Sequence, residues 1–156
     1  MDKNKKTFVL LSLILVVCIS IGAYSLSSSK ATTETGMILE MNENEIKINK
    51  VILLNSFIEE DKRKIEELGI LPSEYPGGFY RKDLNEIEHY KTSSELKVSI
   101  VDTEQKYSTK DDRKHTFESY NAFLSACKED LSLKQRHYIF TIKKGAVVNM
   151  EEKFYN

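Results

Sequence analysis

The first feature of the hydrophobic pattern is an uncharged run from Thr7 to Leu26, which follows the lysine-rich start MDKNKK. The run is apolar on every side of a helix, so it lacks the polar stripe of a helix that packs on a soluble core. About 20 residues that rise 1.5 Å each span a hydrocarbon layer roughly 30 Å thick. The pattern therefore predicts a transmembrane helix over residues 7–26.

Positive charge flanks this run unequally. Lys3, Lys5 and Lys6 precede it, whereas only Lys30 follows it closely. Since lysines beside a membrane helix stay on the cytoplasmic side, residues 1–6 are expected to be cytoplasmic. The rest of the chain is then expected on the extracytoplasmic side of the cytoplasmic membrane.

Three fates of the apolar segment fit the pattern. The run is longer than the roughly 7–15 apolar residues of an ordinary signal peptide, which favours a retained, single-pass signal anchor. Small residues at Ala23, Ser25 and Ser27 suit cleavage by a signal peptidase, which would give a secreted protein instead. Attachment of lipid at Cys18 is the least favoured fate, because β-branched Val17 precedes the cysteine.

Beyond the apolar run, residues 27–35 (SSSKATTET) are small and polar, as in a flexible linker. The extracytoplasmic domain is expected over residues 36–156. Its first elements are two strands, Gly36–Met41 and Glu45–Leu54, with a turn between them. The buried positions of the second strand change parity along its length, which predicts a β-bulge near Asn49 and Lys50.

Two segments of the domain show helical spacing. Glu59–Leu68 begins with acidic residues and is followed by Gly69, as is typical of a helix start and a helix end. Thr116–Leu131 is the stronger prediction, with Thr116 as its cap. Its apolar stripe, at spacings of three and four, consists of Phe117, Tyr120, Leu124, Cys127 and Leu131.

The remaining strands are predicted at Glu86–Tyr90, at Glu95–Val101 and in a closing hairpin of Arg136–Ile142 and Ala146–Tyr155. A three-residue hairpin loop would pair Phe140 with Val148 and Tyr138 with Met150, which keeps the apolar residues on one face. That face is expected to pack on the second helix.

These elements predict an α+β protein. We expect an N-terminal transmembrane helix followed by a small, mostly antiparallel, β-rich domain with two helices, its six or so strands curled into a barrel or half-barrel.

Three motifs in this order carry a family resemblance. They are the helix that ends in Leu68-Gly69, the turn Pro76-Gly-Gly-Phe-Tyr80, and the closing segment Tyr138–Tyr155 (YIFTIKKGAVVNMEEKFY). The chain resembles small exported domains of unknown function from Gram-positive bacteria. It departs from their pattern at Gly77 and at Lys153-Phe154. The resemblance implies export and a β-rich fold, and it implies no site residues.

Charge and cysteine content narrow the classes of function. Beyond Lys30 the chain holds 19 basic and 23 acidic residues, a net charge of about −4. Nucleic-acid binding is therefore not expected, since it calls for a basic surface. The second cysteine, Cys127, has no exported partner for a disulfide and lies on the predicted apolar stripe, as a buried thiol would.

No pattern of residues identifies an active site. Catalysis by Cys127 with His115 or His137 is disfavoured, because the cysteine is expected in the core. The three histidines are isolated and the acidic clusters lack the spacing of a calcium loop, so no metal site is predicted. No glycine loop precedes a helix in the manner of a phosphate site, and no cofactor is predicted.

One aromatic segment is a candidate binding surface. Tyr75, Phe79 and Tyr80 flank a glycine turn, where aromatic side chains can contact a protein partner or a sugar ring, or can pack inward to close one end of a small barrel. We therefore predict a membrane-anchored, non-catalytic binding or accessory module of the cell envelope, with a protein partner. The alternatives are a hydrolase or enzyme inhibitor that acts on envelope material with carboxylates from separate strands, and a cleaved, secreted protein.

Overall fold

The computed structural model describes residues 30–108 and 113–154. The predicted cytoplasmic residues 1–6 and transmembrane segment 7–26 lie outside this part of the chain. Within the described residues, no helix is both long enough and apolar enough to cross a membrane. A compact unit begins at Thr32, so the last residues of the predicted linker already belong to a strand.

The described residues form six strands, three α-helices and two short 3₁₀ turns. In chain order they are β1 (Thr32–Met41), β2 (Glu45–Asn55), α1 (Glu59–Glu67), the 3₁₀ turns Pro72–Glu74 and Pro76–Gly78, β3 (Phe79–Val101), β4 (Lys114–Phe117), α2 (Tyr120–Glu129), α3 (Ser132–Gln135), β5 (His137–Lys143) and β6 (Ala146–Glu152). The predicted α+β class is confirmed.

The structure has one helix more than the two predicted. Asp130 separates α2 from α3, because its Oδ1 accepts hydrogen bonds from the backbone N–H (3.0 Å) and the hydroxyl (2.6 Å) of Ser132. This side chain caps a new turn at the point where the first helix has ended. The two helices are therefore distinct although only two residues lie between them.

The strands form one sheet in the order β2-β1-β5-β6-β3-β4, and β2 also pairs with β3. The pairing therefore runs from β2 through β1, β5, β6 and β3 back to β2. All described pairs are antiparallel except β3 with β6. The 23 residues of β3 pair with three strands, because the first half pairs with β2, and the second half pairs with β6 on one side and with β4 on the other.

An irregularity lies at the predicted position in the pairing of β2, but the extra residues are on β3 and not on β2. The register with β3 shifts between Asn49 and Val51, where β3 advances from Ile87 to Asp83. Asn85, within the longer β3 segment, has a left-handed φ of 56°. The insertion on β3 bends the paired strands at this point and interrupts their regular ladder.

Two buried clusters lie on either side of this register shift. The main core contains Ile46 and Ile48 from β2, before the bulge, with the buried side chains of α2, β5 and β6. The second cluster contains Leu54, beyond the bulge, with Ile65 of α1 and Tyr80 of β3. One strand thus supplies side chains to two separate apolar contacts.

The second predicted helix begins later than expected. Thr116 lies in β4, and the helix α2 starts at Tyr120. Ser119 is its N-cap, since its hydroxyl accepts a hydrogen bond from the backbone N–H of Ala122 at 3.2 Å. The prediction that this helix packs on the hairpin is confirmed, because Phe123 and Tyr138 are in edge contact with ring centroids 6.1 Å apart.

The prediction of two separate strands at Glu86–Tyr90 and Glu95–Val101 is wrong. Both lie within β3, which continues through Thr92. Pairing with β6 at Lys91 and Thr92, and again from Lys97, keeps the backbone of β3 in one strand there. The change of partner from β2 to β6 takes place at Lys91, which pairs with Glu45 and with Ala146.

The predicted register of the closing hairpin is also wrong. Phe140 pairs with Met150 and Tyr138 with Glu152, through a two-residue turn of Lys144 and Gly145. A two-residue turn alone would place apolar and polar residues on the same face of the hairpin. A bulge near Val148 shifts the register, so that Phe140 pairs with Met150 on one apolar face. Both turn residues have positive φ, 53° for Lys144 and 74° for Gly145, as a type I′ turn requires.

This turn generates a stability prediction. We expect Lys144→Asn to raise the free energy of unfolding of the full-length chain by about 1 kcal/mol, because asparagine tolerates left-handed φ better than lysine. Urea denaturation followed by far-UV circular dichroism measures it. Lys143→Asn, in the strand itself, is the control and is expected to give no gain. Equal effects of the two substitutions would contradict the assigned turn.

Candidate binding surface

The connection between β2 and β3, residues 56–78, is the longest fully described link of the fold and carries α1. Its helix is held by an apolar contact, since Ile65 is 2% exposed and packs with Leu54 and Tyr80. Burial of a large aliphatic side chain contributes about 1.5–3 kcal/mol. The connecting segment is therefore a packed part of the domain.

A buried carboxylate fastens the same helix to two other elements. Asp61 is 6% exposed, and its Oδ2 accepts a hydrogen bond from the backbone N–H of Asn55 at 3.0 Å. The ammonium of Lys153 lies 3.6 Å from that oxygen and donates to the backbone carbonyl of Leu53 at 2.6 Å. The C-terminal end of the chain thus ties α1 to β2.

Phe57, just before α1, is the most exposed of the large hydrophobic side chains in the described residues. It is 76% exposed, and Phe79 at the start of β3 is 36% exposed. Their ring centroids lie 6.1 Å apart with an interplanar angle of 67°, an edge-to-face contact of the kind aromatic pairs favour. The two rings form the surface that we call the aromatic pair.

Glycine at position 78 allows the aromatic pair to form. Gly78 has a φ of 88°, and a Cβ there would lie 2.5 Å from Cε2 of Phe57. The backbone at this point is fixed by hydrogen bonds from the N–H of Ser56 to the carbonyl of Gly78 (2.8 Å) and from the N–H of Gly78 to the carbonyl of Tyr75 (2.9 Å). The turn therefore places the Phe57 ring directly against the backbone of Gly78.

The structure separates the three aromatic residues that the sequence placed together. Tyr80 is 9% exposed and belongs to the second buried cluster, and Tyr75 is half-buried against it. Only Phe79 contributes an exposed ring. The inward orientation of Tyr80 follows from its register opposite Leu54, on the face of the ribbon that α1 covers.

Sequence reasoning missed Phe57, although a signal was present. A hydrophobic residue just before a helix cap usually packs against the fourth helical residue. Here the cap is Ile58 and the fourth helical residue is Lys62, so the helix offers Phe57 no apolar partner. Because Lys62 is polar and stands where an apolar partner is usual, the sequence could have indicated that the Phe57 ring is exposed.

Exposed apolar residues concentrate around this connection. Five of the nine large hydrophobic side chains that are exposed in the described residues lie between positions 57 and 79. They are Phe57, Ile58, Leu68, Leu71 and Phe79. The segment 56–78 also holds six acidic and three basic residues, so its surface is negative. Such clusters of exposed apolar residues mark interaction surfaces more often than isolated ones do.

The buried carboxylate of Asp102 accepts hydrogen bonds from the backbone of residues 106–108, which holds the loop after β3. Burial acts to raise the pKa of Asp102, but hydrogen bonds from the backbone N–H groups of Tyr107, Ser108 and Lys106, at 2.6–2.9 Å, lower it overall. Asp130 holds the same loop, since its Oδ2 accepts from the Lys106 ammonium at 2.9 Å and from the Tyr107 hydroxyl at 3.1 Å.

The carboxylates that come together from separate strands form an ion pair network. The ammonium of Lys50, at the register shift between β2 and β3, lies 3.3 Å from Glu34 of β1 and 3.1 Å from Glu86 of β3. The hydrogen bond to Glu86, followed by that to Glu34, raises the pKa of Lys50. The lysine therefore stays charged between the two carboxylates.

Cys127 lies in the main core and is 0% exposed. Burial raises the pKa of its thiol to about 11, which keeps it protonated at neutral pH. Among residues 30–108 and 113–154 no hydrogen bond joins it to His115 or His137. His115 instead contacts the rings of Tyr107 and Phe117. In the same part of the chain, no group of three or more potential metal ligands is placed to hold an ion.

Comparison with known proteins gives no family for this chain. No protein-family model matches it. No curated protein matches it significantly, and no solved structure does so.

The contact between Gly78 and Phe57 can be tested by a matched pair of substitutions. Gly77→Ala and Gly78→Ala both place a side chain at a positive φ, of 79° and 88°. Only position 78 also meets the Phe57 ring, whereas position 77 has open space within 4 Å. We expect Gly78→Ala to lower the free energy of unfolding by about 1–2 kcal/mol more than Gly77→Ala, since overpacking adds to the common backbone strain.

Urea denaturation of the full-length chain measures this difference. The double variant Gly78→Ala with Phe57→Ala removes the clashing ring and is expected to recover most of it. Equal destabilisation by the two alanines, with no recovery in the double variant, would show that the ring is not held over Gly78.

Proposed function

We propose that this domain is a non-catalytic binding module of the cell envelope, which docks through the aromatic pair onto an apolar pocket of another protein. The observation that carries the proposal is the exposed, edge-to-face contact of Phe57 and Phe79 on a packed connecting segment. Phenylalanine, tyrosine and tryptophan are enriched at protein interfaces relative to the rest of the protein surface.

The aromatic pair has the properties of a preorganised anchor. Each ring offers a large apolar area with few rotatable bonds, so little conformational freedom is lost when it enters a pocket. The segment beneath it is already fixed by the Asp61 hydrogen bond and by the buried Ile65. A partner would therefore gain the apolar contact without ordering a loop, which favours affinity.

Charge favours a protein partner over an anionic lipid surface. The segment 56–78 has six acidic and three basic residues, and Glu59 and Glu60 directly follow the exposed pair Phe57-Ile58. Anionic headgroups attract clusters of lysine and arginine and would be repelled here. The matching partner is a protein whose apolar pocket is bordered by lysine or arginine side chains.

We also infer that the five strands β1, β2, β3, β5 and β6 close into a small barrel, with β4 added to β3. Support comes from the return of the pairing to β2, the parallel contact of β3 with β6 and a helix between β3 and β5. This is the connectivity of the OB-fold, whose members bind varied ligands. A shared fold does not assign a ligand, so the proposal depends on the aromatic pair.

The envelope location rests on the hydrophobic pattern of residues 7–26. We propose that this segment is a retained anchor, with the domain on the outer side of the cytoplasmic membrane. Intact-mass measurement of the protein from native membranes is expected to give the uncut chain, resistant to carbonate extraction. A mature chain that starts near Ser28 and is recovered from the medium would establish the secreted alternative.

Docking is tested by photocross-linking in native membranes. With benzoylphenylalanine in place of Phe57 in the full-length chain, we expect one major protein adduct, mapped by mass spectrometry to an apolar pocket with basic residues at its border. Phe79→Ala should lower the yield at least tenfold, because it removes half of the aromatic pair. Glu59→Lys and higher ionic strength should also lower it, because both weaken the charge complementarity.

Phe154→Ala is the matched control, since this phenylalanine is 42% exposed and lies outside the connecting segment. It should leave the yield unchanged. Adducts that form with lipid, or that respond equally to Phe79→Ala and Phe154→Ala, would sink the proposal.

A further inference from the structure

We propose that a second binding site lies in the groove between the β1–β2 turn and α2, and that it takes an extended, uncharged segment of peptide. The groove has a volume of about 610 Å³, within the range of small-ligand sites. Met41, Asn42, Glu43 and Asn44 line one side, and Asn121, Leu124, Ser125 and Lys128 line the other. None of these residues belongs to the connecting segment.

One face of α2 is directed at the groove. Asn121, Ser125 and Lys128 recur at spacings of four and three, which places them on the same side of a helix. The opposite side holds Phe123 and Cys127, both 0% exposed in the main core. Packing of that apolar side fixes the helix, so the polar side is presented to the groove as a rigid wall.

The opposite wall is also fixed. The Oδ1 atom of Asn42 accepts hydrogen bonds from the backbone N–H groups of Asn44 (2.9 Å) and Glu45 (3.1 Å), which holds the turn closed. Thr92 of β3 also holds this turn, because its hydroxyl donates to the carbonyl of Glu43 (2.7 Å) and its backbone N–H donates to the carbonyl of Asn44 (2.9 Å). The groove is therefore formed before a ligand arrives.

The chemistry of the lining favours a peptide backbone. A side-chain amide has both a donor and an acceptor, as a peptide group has, so Asn44 and Asn121 can each pair with an extended main chain. Glu43 and Lys128 cancel in charge, which disfavours a phosphate or a polycation. The apolar lining comes from Met41 and Leu124 without an aromatic ring on which a sugar could stack, and methionine adapts to varied side chains.

The test uses a displayed library of random seven-residue peptides, selected on the full-length chain in detergent micelles. We expect enrichment of uncharged sequences without proline, whose affinity falls about tenfold in Asn44→Ala and in Asn121→Ala, as expected for the loss of a paired amide. Both residues are exposed, so the fold should be retained, and circular dichroism checks this. Gln135→Ala, an exposed amide outside the groove, should have no effect.

Other outcomes decide against the inference. No enrichment above empty micelles, or selected peptides that bind Asn44→Ala and Asn121→Ala as tightly as the wild type, would overturn it. Binding of uncharged oligosaccharides that is lost in the same two variants would show a saccharide site in place of a peptide site. Phe57→Ala should leave peptide binding unchanged, which separates this site from the aromatic pair.

Discussion

The register shift between β2 and β3 is the constraint on which the rest of this structure depends. Where β2 passes from Asn49 to Val51, β3 advances from Ile87 to Asp83, so the extra residues lie on β3. Ile46 and Ile48, before the shift, enter the main core, while Leu54, beyond it, packs in the second cluster beneath α1. The shifted register pairs Leu54 with Tyr80, and these two side chains form that cluster with Ile65.

Charged side chains are arranged around that constraint. Lys50 stands at the register shift and joins Glu34 of β1 to Glu86 of β3, so three strands are linked where the regular ladder is interrupted. Lys153 links α1 to β2 in the same way, because its ammonium pairs with Asp61 of α1 and donates a hydrogen bond to the carbonyl of Leu53 in β2. Partly buried ionic contacts of this kind add little net stability, because the desolvation of both charges offsets their attraction.

Both proposed sites follow from elements whose other side is buried. The segment that carries Phe57 is held by Ile65 in the second cluster, and the helix that carries Asn121 is held by Phe123 in the main core. A rigid support lets a small domain present side chains at little entropic cost on binding. The surface chemistry of each site is therefore a consequence of the packing behind it.

The sequence by itself determined the α+β class, the turn after Met41, the position of the irregularity near Asn49 and the helix before Gly69. Each of these rests on local periodicity or on the backbone preference of a single residue. It indicated Phe79 but grouped it with Tyr80, whose burial depends on Leu54 across the strand pair and on Ile65 of α1, which packs against it.

Tertiary structure decided the features that depend on contacts between distant segments. The hairpin register depended on a bulge opposite Thr141 that no local pattern reveals, and the continuity of β3 depended on a partner more than fifty residues away. The exposure of Phe57 likewise depends on where α1 docks. Local sequence specifies which face of an element is apolar, but only long-range packing selects what that face meets.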